Sequence, residues 1–281
     1  DSGEDDSDGI THIATVNVNG LEPSATWEYQ VDNGAWNAGV GTSFNLTADN
    51  HNYSVRQTDP AGNTSLASET KTFTLDTTAS APSLSLATDS GNDDADGVTQ
   101  FATVTVNGLE DGVTWAYQVD DGEWLAGVGT TLTLHAGPHT YSVRQTDAAG
   151  NLSDASDSKT YTYDTTANPP TLSLATDSGH DGADGITNIA TVNVNGLEDG
   201  ATWEYQVDNG NWTAGVGTSF SLSVGQHTYS VRQTDAAGNL SVASEQTSFT
   251  LVIAASAPSL MLSTDSGEDD SDGITHIATV N

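Results

Sequence analysis

The sequence predicts an all-β protein made of tandem β-sandwich domains that follow one another in a linear array. An acidic, glycine-rich stretch begins at Asp1, Asp89, Asp177 and Asp265, and each copy starts 88 residues after the previous one. Between these stretches, apolar and polar residues alternate in short runs separated by turn residues, as in strands with one buried face. A period of 88 residues exceeds the usual solenoid unit and corresponds to whole small domains.

Proline-containing linkers predict the domain boundaries. Ala81-Pro82 and Ala257-Pro258 each open a unit, and Pro169-Pro170 stands at the corresponding place. The predicted domains are a repeat that lacks its first strand (1–80), two complete repeats (81–168 and 169–256) and the start of a further repeat (257–281), with its first strand, acidic loop and part of strand B. Because Asp265–Asn281 is identical to Asp1–Asn17, we expect the array to continue beyond this chain.

The charge of the chain restricts its partners. With 39 acidic and 5 basic side chains, the formal net charge is −34, which disfavours binding to nucleic acid or to an anionic membrane surface. The sequence contains no cysteine, so disulfides and thiolate chemistry are excluded. Small extracellular domains without disulfides need another source of stability, and a bound metal is one. Neither a signal peptide nor a membrane-spanning apolar run is recognised, and direct membrane insertion is not expected.

The second repeat illustrates the strand pattern that is predicted for each unit. Seven strands are expected, at Pro82–Ala87, Phe101–Asn107, Val113–Val119, Glu123–Trp124, Thr130–Leu134, Tyr141–Thr146 and Ser158–Tyr163. In the other repeats Asn33-Gly34 and Asn209-Gly210 mark the hairpin turn, since this dipeptide favours two-residue hairpins. A turn at Gly137–His139 is expected before the sixth strand. The equivalent histidines are expected to be exposed turn residues rather than zinc ligands, namely His51, His139 and His227.

Two core positions make the predicted sandwich immunoglobulin-like. Trp115 lies on the third strand, where immunoglobulin sandwiches bury a tryptophan. Tyr141 and Val143 occupy the tyrosine–cysteine pair of the sixth strand, with valine in place of cysteine, and the tyrosine is expected to make the corner hydrogen bond. The predicted fold class is therefore tandem Ig-like β-sandwich domains of 88 residues in a linear array.

The acidic stretch is predicted to bind a divalent cation. Two carboxylates about 4 Å apart repel by roughly 1–4 kcal/mol, and a hard cation among them removes this repulsion. Ca²⁺ takes about six to eight oxygen ligands, and Asn92–Gly97 has the Asn-x-Asp-x-Asp-Gly spacing of a calcium loop. Thr103 stands where an EF-hand has its glutamate, so oxygens from elsewhere in the fold would have to complete the shell. A solvated acidic turn is the alternative interpretation.

These motifs together resemble the bacterial Ig-like repeats of giant type I-secreted (RTX-type) adhesins, whose extender or stalk regions consist of such domains. The Ala-Pro linker, the stretch Asp89–Thr99, the strand-C tryptophan, VRQTDAAGN at Val143–Asn151 and the closing Asp-Thr-Thr at Asp164–Thr166 recur in a fixed order over essentially the whole chain. The resemblance implies an extracellular location on the bacterial cell surface, a role in biofilm or other adhesion, and Ca²⁺ at or near the domain junctions that stiffens the array.

Sandwich geometry brings the same residues to the junctions. The loop after the first strand and the end of the last strand lie at one pole, and the loop between strands six and seven lies at the other. The predicted metal ligands are Asp1, Asp5, Asp6, Asp8 and Asp76 with Asp147 and Asn151 at the first junction, Asp89, Asp93, Asp94, Asp96 and Asp164 with Asp235 and Asn239 at the second, and Asp177, Asp181 and Asp184 in the third loop. The Asp-Ala-Ala-Gly-Asn turns could instead be simple Asx-capped turns. Val252 and Gly182 replace two of the acids in the third repeat, so weaker calcium binding is expected there.

The function predicted from the sequence is mechanical. The chain is expected to be a calcium-stiffened extender segment that projects an adhesive tip, to contact its own neighbouring repeats and to form a monomeric rod. The alternative is that the repeats bind a surface glycan or another ligand through exposed tryptophans, for which Trp36, Trp124 and Trp212 are the candidates. No catalytic motif such as Gly-x-Ser-x-Gly is present, so no enzymatic activity is expected, although an Ig-like module attached to an enzyme is a third possibility.

Overall fold

The computed structural model describes residues 2–3, 5 and 7–260, and it is all-β. These residues form 23 strands and no helix, and accordingly no helix long and apolar enough to cross a membrane is found in the described part. The chain divides into two compact units. One consists of Asp1–Thr166 with Asp235–Asn239, and the other of Ala167–Thr234 with Leu240–Asn281.

The first repeat has two sheets of unequal size. Its strands are β1 (Ile10–Thr11), β2 (Thr15–Asn17), β3 (Thr26–Val31), β4 (Trp36–Ala38), β5 (Ser43–Asn45), β6 (Asp49–Thr58) and β7 (Lys71–Leu75). Five strands form one sheet in the order β1-β7-β6-β3-β4, and β2 pairs with β5 in the other.

The second repeat adds one strand to the same arrangement. Its strands are β8 (Ser83–Leu86), β9 (Val98–Thr99), β10 (Thr103–Asn107), β11 (Thr114–Val119), β12 (Leu125–Ala126), β13 (Thr131–Thr133), β14 (Gly137–Thr146) and β15 (Lys159–Tyr163). The larger sheet has the order β12-β11-β14-β15-β9, with β9 parallel to β15. The smaller sheet has the order β13-β10-β8.

The third repeat has the same eight strands as the second. They are β16 (Thr171–Leu174), β17 (Ile186–Thr187), β18 (Thr191–Asn195), β19 (Thr202–Val207), β20 (Trp212–Ala214), β21 (Ser219–Ser221), β22 (Gly225–Thr234) and β23 (Thr247–Leu251). The sheets have the orders β17-β23-β22-β19-β20 and β16-β18-β21. The all-β fold of tandem sandwich repeats is therefore confirmed.

Each repeat has its own apolar core. In the second repeat the core contains Trp115, Tyr141 and Val143, together with inward residues of the smaller sheet. The equivalent tryptophans Trp27 and Trp203 are only 4% and 5% exposed, as the sequence predicts. The boundaries that we draw at the proline linkers stay a prediction, and the start of a further repeat at 257–281 lies outside the described residues except for 257–260.

The structure corrects two details of the predicted strand pattern. The turn predicted at Gly137–His139 is wrong, because these residues begin β14, in which His139 pairs with Tyr161 of β15. The glycine, with a φ of 87°, permits the chain to enter the strand from a left-handed conformation. The strand predicted at Glu123–Trp124 begins two residues later, as β12. The sequence also misses β9, since two residues carry no alternation.

The predicted tyrosine corner is present in all three repeats. The Tyr141 hydroxyl accepts a hydrogen bond from the backbone N–H of His135, six residues upstream, at 2.8 Å. The equivalent bonds join Tyr53 to the Thr47 N–H at 2.9 Å and Tyr229 to the Ser223 N–H at 3.1 Å. Tyr141 is fully buried, so this hydroxyl fixes the loop before β14 to the core.

Replacement of Tyr141 by phenylalanine is expected to destabilise the second repeat by about 1–3 kcal/mol, because the part-buried His135 N–H loses its acceptor. Chemical unfolding measures the difference in the free energy of unfolding. The matched control is Tyr161→Phe, since the equivalent positions carry Phe73 and Phe249, and it should change the free energy little. Equal losses in the two variants would contradict a structural role for the corner hydrogen bond.

Candidate functional site

The acidic loop of the second repeat is held in shape by its own carboxylates. The Asp89 Oδ2 atom accepts a hydrogen bond from the Gly97 N–H at 3.1 Å. Asp93 and Asp96 each accept one from the N–H two residues further on, at 3.1 and 2.8 Å. Such Asx turns let aspartate shape a loop through its own backbone. The loop of the third repeat has the same bonds from Asp177, Asp181 and Asp184.

One oxygen in each of these two loops is buried without a hydrogen-bond partner. These atoms are the Asp89 Oδ1 and Asp177 Oδ1 atoms. Burial, together with the charges of Asp96, Asp93 and Asp94, raises the pKa of Asp89. A buried carboxylate oxygen without a partner is costly, and a cation beside it would relieve both the missing contact and the repulsion. In these two loops, the unpartnered oxygen is the feature that a cation would satisfy.

In each Asp-Ala-Ala-Gly-Asn turn, both carboxylate oxygens of the aspartate accept hydrogen bonds from the asparagine of the same turn. In the second repeat both carboxylate oxygens of Asp147 accept bonds from Asn151, from its backbone N–H at 2.8 Å and from its side-chain amide at 2.7 Å. Asp235 and Asn239 have the same two bonds in the third repeat, at 2.7 and 2.8 Å. Asp147 and Asp235 are 5% and 3% exposed. Their main visible role is therefore to cap the turn.

The acidic loop of the first repeat contacts the turn of the second repeat directly. The Ser2 hydroxyl donates a hydrogen bond to the Ala149 carbonyl at 2.7 Å. The same contact recurs between Ser90 and Ala237 at 2.6 Å; both of these residues belong to the first compact unit. Ala149 and Ala237 are each 1% exposed, whereas the equivalent Ala61 of the first turn is exposed. We call this loop-to-turn contact the interlock.

A glycine lets the two backbones of the interlock approach. Gly91 has a φ of +110°, and a Cβ atom there would overlap the Ala236 carbonyl oxygen. Gly3 has the same φ and the same relation to the Ala148 carbonyl. Gly179 of the third loop has a similar φ of +124°, but a Cβ there would meet no atom within 4 Å. The close approach therefore belongs to the interlock and not to the loop conformation alone.

The linkers that follow the first and second repeats are hydrogen-bonded to the turns that take part in the interlock. The Asn151 side-chain amide donates to the Asp76 carbonyl at 2.9 Å, and Asn239 donates to the Asp164 carbonyl at the same distance. The carboxylates of Asp76 and Asp164 cap their own linkers through the N–H groups two residues on, at 3.1 and 3.0 Å. The fully buried Gln145 donates to the Ser80 carbonyl at 2.7 Å. Both the exit and the entry of the linker are thus bound to the second repeat.

Both halves of the interlock have the same internal carboxylate hydrogen bonds in the turn of the first repeat and in the third acidic loop, for which no loop-to-turn hydrogen bond is found among the described residues. The turn Asp59–Asn63 has the same two carboxylate bonds, each at 2.8 Å. In the third loop, Ser178 instead donates to Asn188 of its own repeat at 2.9 Å. Because the loop and the turn already have the shape that the contact requires, they lose little conformational entropy when they meet. The interlock therefore forms at a small free-energy cost.

The predicted metal ligands fall into three groups. Asp89 and Asp177 have the unpartnered oxygens, and Asp5, Asp8, Asp93, Asp94, Asp96, Asp181 and Asp184 are exposed loop residues. Asp76, Asp164, Asp147, Asn151, Asp235 and Asn239 cap turns or linkers, while Asp1 and Asp6 lie outside the described residues. Within residues 2–3, 5 and 7–260, no three histidine or acidic side chains converge closely enough to hold a metal ion. Calcium at these residues stays a prediction.

Sequence reasoning missed the residues that make the interlock. The aspartates drew attention because of their charge, whereas the contacts come from the Ser-Gly pair that follows the first aspartate and from backbone carbonyls of the turn. A signal was present, because Ser-Gly occupies positions 2–3, 90–91, 178–179 and 266–267. Reading the internal repeats against each other, residue by residue, would have identified it.

The tryptophans proposed as ligand-binding residues are half-buried and covered by arginines. The guanidinium carbon of Arg56 lies 4.1 Å from the centre of the Trp36 ring. Arg144 over Trp124 and Arg232 over Trp212 have the same distance. One face of each ring is therefore occupied by a cation–π contact.

The recurring histidines form pairs with aspartates that sequence reasoning also missed. The Nδ1 atom of His139 lies 2.5 Å from the Asp120 Oδ2 atom, and the pairs His51–Asp32 and His227–Asp208 repeat this contact at 2.6 and 2.5 Å. The aspartate hydrogen bond raises the pKa of His139. The Thr140 N–H and His139 lower the pKa of Asp120. Each pair joins the hairpin turn to the strand that follows the tyrosine-corner loop.

Comparison with solved structures finds several distant likenesses. The chain is similar to a tetra-tandem repeat in the extending region of a large adhesion protein, with 20% identity over 92% of this chain and 75% of that chain and a TM-score of 0.33. It is similar to fibronectin(III)-like modules of Clostridium thermocellum, with 9% identity over 60% and 93% of the two chains and a TM-score of 0.31. A Bacteroides ovatus mixed-linkage glucan utilization protein, in complex with a mixed-linkage heptasaccharide, has 12% identity over 86% and 65% and a TM-score of 0.19.

No family model and no curated protein matches the chain. These distant likenesses transfer no site or ligand to this chain.

Replacement of Gly91 by alanine is expected to weaken the interlock, because the new methyl group would overlap the Ala236 carbonyl oxygen. The matched variant is Gly179→Ala, which has the same backbone strain at positive φ but no atom to overlap. We expect Gly91→Ala to reduce the free energy of unfolding more than Gly179→Ala, as measured by chemical denaturation. Equal reductions would mean that only backbone strain matters at this glycine.

The histidine–aspartate pairs predict a pH dependence of stability. Because the histidine pKa is raised in the folded state, their contribution is fully present below about pH 6.5 and is lost as the pH rises through the folded-state pKa. The lowered aspartate pKa makes the contribution disappear again as the pH falls well below about 3.9. Melting curves from pH 4 to 9 of the native chain and of His139→Gln measure this contribution.

The variant should lose part of the decline in melting temperature above neutral pH. His180→Gln removes an exposed histidine of the third acidic loop and should leave the profile unchanged. The same profile in the native chain and in His139→Gln would contradict the assignment.

Proposed function

We propose that this chain is a structural extender segment of a bacterial cell-surface adhesin, which holds an adhesive tip away from the cell. The observation that carries the proposal is the interlock, in which Ser2 of the first repeat bonds to Ala149 of the second and Ser90 bonds to Ala237 in the same way. Contacts that recur once per repeat between preformed loops suit a protein whose role is to keep successive domains in a fixed relation. Location outside the cell and export by type I secretion are parts of the same proposal.

Calcium is proposed to strengthen this arrangement. Asp89 and Asp177 would provide the first ligands, because each has a buried oxygen without a partner. Because no three acidic side chains converge among the described residues, the exposed carboxylates of Asp93, Asp94 and Asp96 would have to move toward Asp89 to complete a shell together with backbone oxygens, which Ca²⁺ accepts readily. A bound ion supplies positive charge, which removes the repulsion between these carboxylates. The loop then keeps Ser90 and Gly91 in position for contact.

The calcium affinity expected for such a site would make the stiffness of the array depend on the calcium concentration around it. Extracellular calcium modules have dissociation constants of roughly 10⁻⁴ to 10⁻³ M. At a free calcium concentration ten times such a constant, one site adds about 1.4 kcal/mol to the stability of the bound state. A single hydrogen bond contributes about 1 kcal/mol net, so a bound ion and the hydrogen bond of the interlock would contribute similar free energies. Calcium would therefore change the fraction of interlocked repeats rather than create the contact.

Ligand binding by the repeats has less support. It requires exposed tryptophan faces, and Trp36, Trp124 and Trp212 are half-buried, each with an arginine over its ring. A glycan could stack on the opposite face only, so these positions offer no open aromatic stripe. Neither the sequence nor the described residues supply an arrangement that favours an enzymatic role.

The extender proposal is tested by small-angle scattering and thermal unfolding in calcium and in chelator at equal ionic strength. We expect calcium to narrow the distribution of dimensions and to raise the melting temperature. The variant Asp89→Asn keeps the size of the side chain but removes a charged ligand, so it should lose part of the calcium-dependent increase. Asp157→Asn removes the same charge at an exposed position outside the acidic loops and should keep the full increase.

Two results would count against calcium. The first is an unchanged maximum dimension and melting temperature in calcium and in chelator. The second is an equal loss in Asp89→Asn and Asp157→Asn, which would reduce the effect of calcium to general screening of a highly charged chain.

A further inference from the structure

A buried threonine lies behind the loop of each interlock. Thr99 ends the short strand β9, which pairs in parallel with β15, the last strand of the second repeat. Thr99 is completely buried, and the equivalent Thr11 and Thr187 are only 5% and 2% exposed. A hydroxyl in such a place needs hydrogen-bond partners inside the protein, because burying it without one is costly. Its partners therefore indicate what the residue does.

The hydroxyl of Thr99 fixes the serine that makes the interlock. It lies within hydrogen-bond distance of two acceptors, the Thr88 carbonyl at 2.9 Å and the Ser90 Oγ atom at 3.2 Å. The Ser90 Oγ atom also accepts a hydrogen bond from the Gln100 N–H at 2.9 Å. A serine hydroxyl has one proton to donate and two lone pairs to accept with. With its lone pairs directed at these two neighbours, Ser90 donates its proton to the Ala237 carbonyl at 2.6 Å.

The backbone of the same threonine fixes the linker. The Thr99 carbonyl accepts a hydrogen bond from the Asp164 N–H at 3.0 Å, and the Asp164 carbonyl accepts one from the Asn239 side chain at 2.9 Å. Asn239 belongs to the same turn as Ala237, and all these residues lie in the first compact unit. Loop, linker and turn therefore form a closed ring of hydrogen bonds that passes through Thr99. Such networks can contribute more than the sum of their separate bonds.

The same ring of hydrogen bonds is present between the first and second repeats. The Thr11 Oγ1 atom lies 3.0 Å from the Ser2 Oγ atom, and the Thr11 carbonyl accepts a hydrogen bond from the Asp76 N–H at 3.0 Å. Ser2 donates to the Ala149 carbonyl, and the Asp76 carbonyl accepts from the Asn151 side chain. Because both interlocks have this ring, it belongs to the design of the repeat and not to one contact.

The third acidic loop indicates that the serine is held in place before any contact with a turn. The Thr187 Oγ1 atom lies 3.1 Å from the Ser178 Oγ atom, and the Asn188 N–H donates to Ser178 at 2.8 Å. The Ser178 proton goes to the Asn188 side chain at 2.9 Å, and no turn carbonyl accepts it among the described residues. The threonine therefore fixes the serine independently of the interlock.

We propose that the buried threonine, Thr11 or Thr99, is the positioning residue of each interlock. Its hydroxyl directs the serine proton to the carbonyl of the next turn, and its carbonyl fixes the start of the linker. Valine in its place keeps the size and the branching of the side chain but removes the hydroxyl, so the serine is free to rotate away from the turn. The inference rests on the interlock, which also carries the proposed function, but not on calcium.

Hydrogen–deuterium exchange of the full chain, measured for each turn by mass spectrometry, tests the proposal. The turn Asp59–Asn63 has the same internal bonds as the other two and no acidic loop against it among the described residues, so it gives the protection of an undocked turn. A docked turn exchanges more slowly, because its opening must first break the interlock. We expect Thr99→Val to reduce the protection of Asp235–Asn239 toward the undocked value and to leave Asp147–Asn151 unchanged. Thr11→Val should do the reverse.

Two further variants serve as controls. Thr187 has the same hydrogen bond to a carbonyl eleven residues upstream as Thr99 has, but its loop makes no described bond to a turn. Thr187→Val should therefore change the protection of neither docked turn. Thr99→Ser keeps the hydroxyl, so its turns should exchange as in the native chain.

Three results would overturn the proposal. The first is a loss of protection in Asp235–Asn239 that is no larger in Thr99→Val than in Thr187→Val. The second is faster exchange throughout the second and third repeats of Thr99→Val, which would mean a general loss of stability. The third is loss of protection in Gly91→Ala but not in Thr99→Val, which would leave the interlock without a role for the threonine. A native turn Asp235–Asn239 as unprotected as the first turn would instead remove the interlock itself, and with it both this proposal and the observation that carries the proposed function.

Discussion

The structure depends on one close contact, in which the backbone of an acidic loop lies against the backbone of a turn. The Ser90 hydroxyl donates to the Ala237 carbonyl at 2.6 Å, and the absence of a side chain at Gly91 makes the approach possible. Ser2 and Gly3 repeat the contact between the first and second repeats. Because each half has its shape before contact, few degrees of freedom are lost when they meet. The contact between the first and second repeats therefore forms at a small entropic cost.

The loop that makes this contact is both acidic and rich in glycine. The carboxylates shape the loop by capping its N–H groups, but burial and, to a smaller extent, their charges raise the pKa of Asp89. Under the calcium proposal, a bound cation would reduce the repulsion between these carboxylates. A net contribution of about 1 kcal/mol from a hydrogen bond is comparable with the repulsion of about 1 kcal/mol between two solvated charges at 4 Å. In that proposal, one bound ion would be enough to shift the equilibrium toward the contact.

Much of the fold could be predicted from the sequence, but less of the site. Alternation and turn signals located the strands, and the position of Trp115 and Tyr141 identified the sandwich, because burial and the tyrosine corner impose residue types at fixed positions. The strand start at Gly137 and the short β9 were missed, since glycine φ and a two-residue pairing leave no periodic signal. At the site, charge pointed to aspartates, whereas Ser90 and Gly91 act through a hydroxyl and through the lack of a Cβ atom. These roles depend on which backbone atoms lie opposite the serine and the glycine in the folded chain, and composition does not specify those neighbours.

The interlock is tested most directly by the distance between spin labels on the first and second repeats. The chain has no cysteine, so cysteines introduced at the exposed positions Asn37 and Glu123 would carry the only labels. Pulsed electron paramagnetic resonance in calcium should give one narrow distance distribution, and Gly3→Ala should broaden it. A broad distribution in the native sequence, unchanged by Gly3→Ala, would contradict a fixed contact between the acidic loop and the turn that follows.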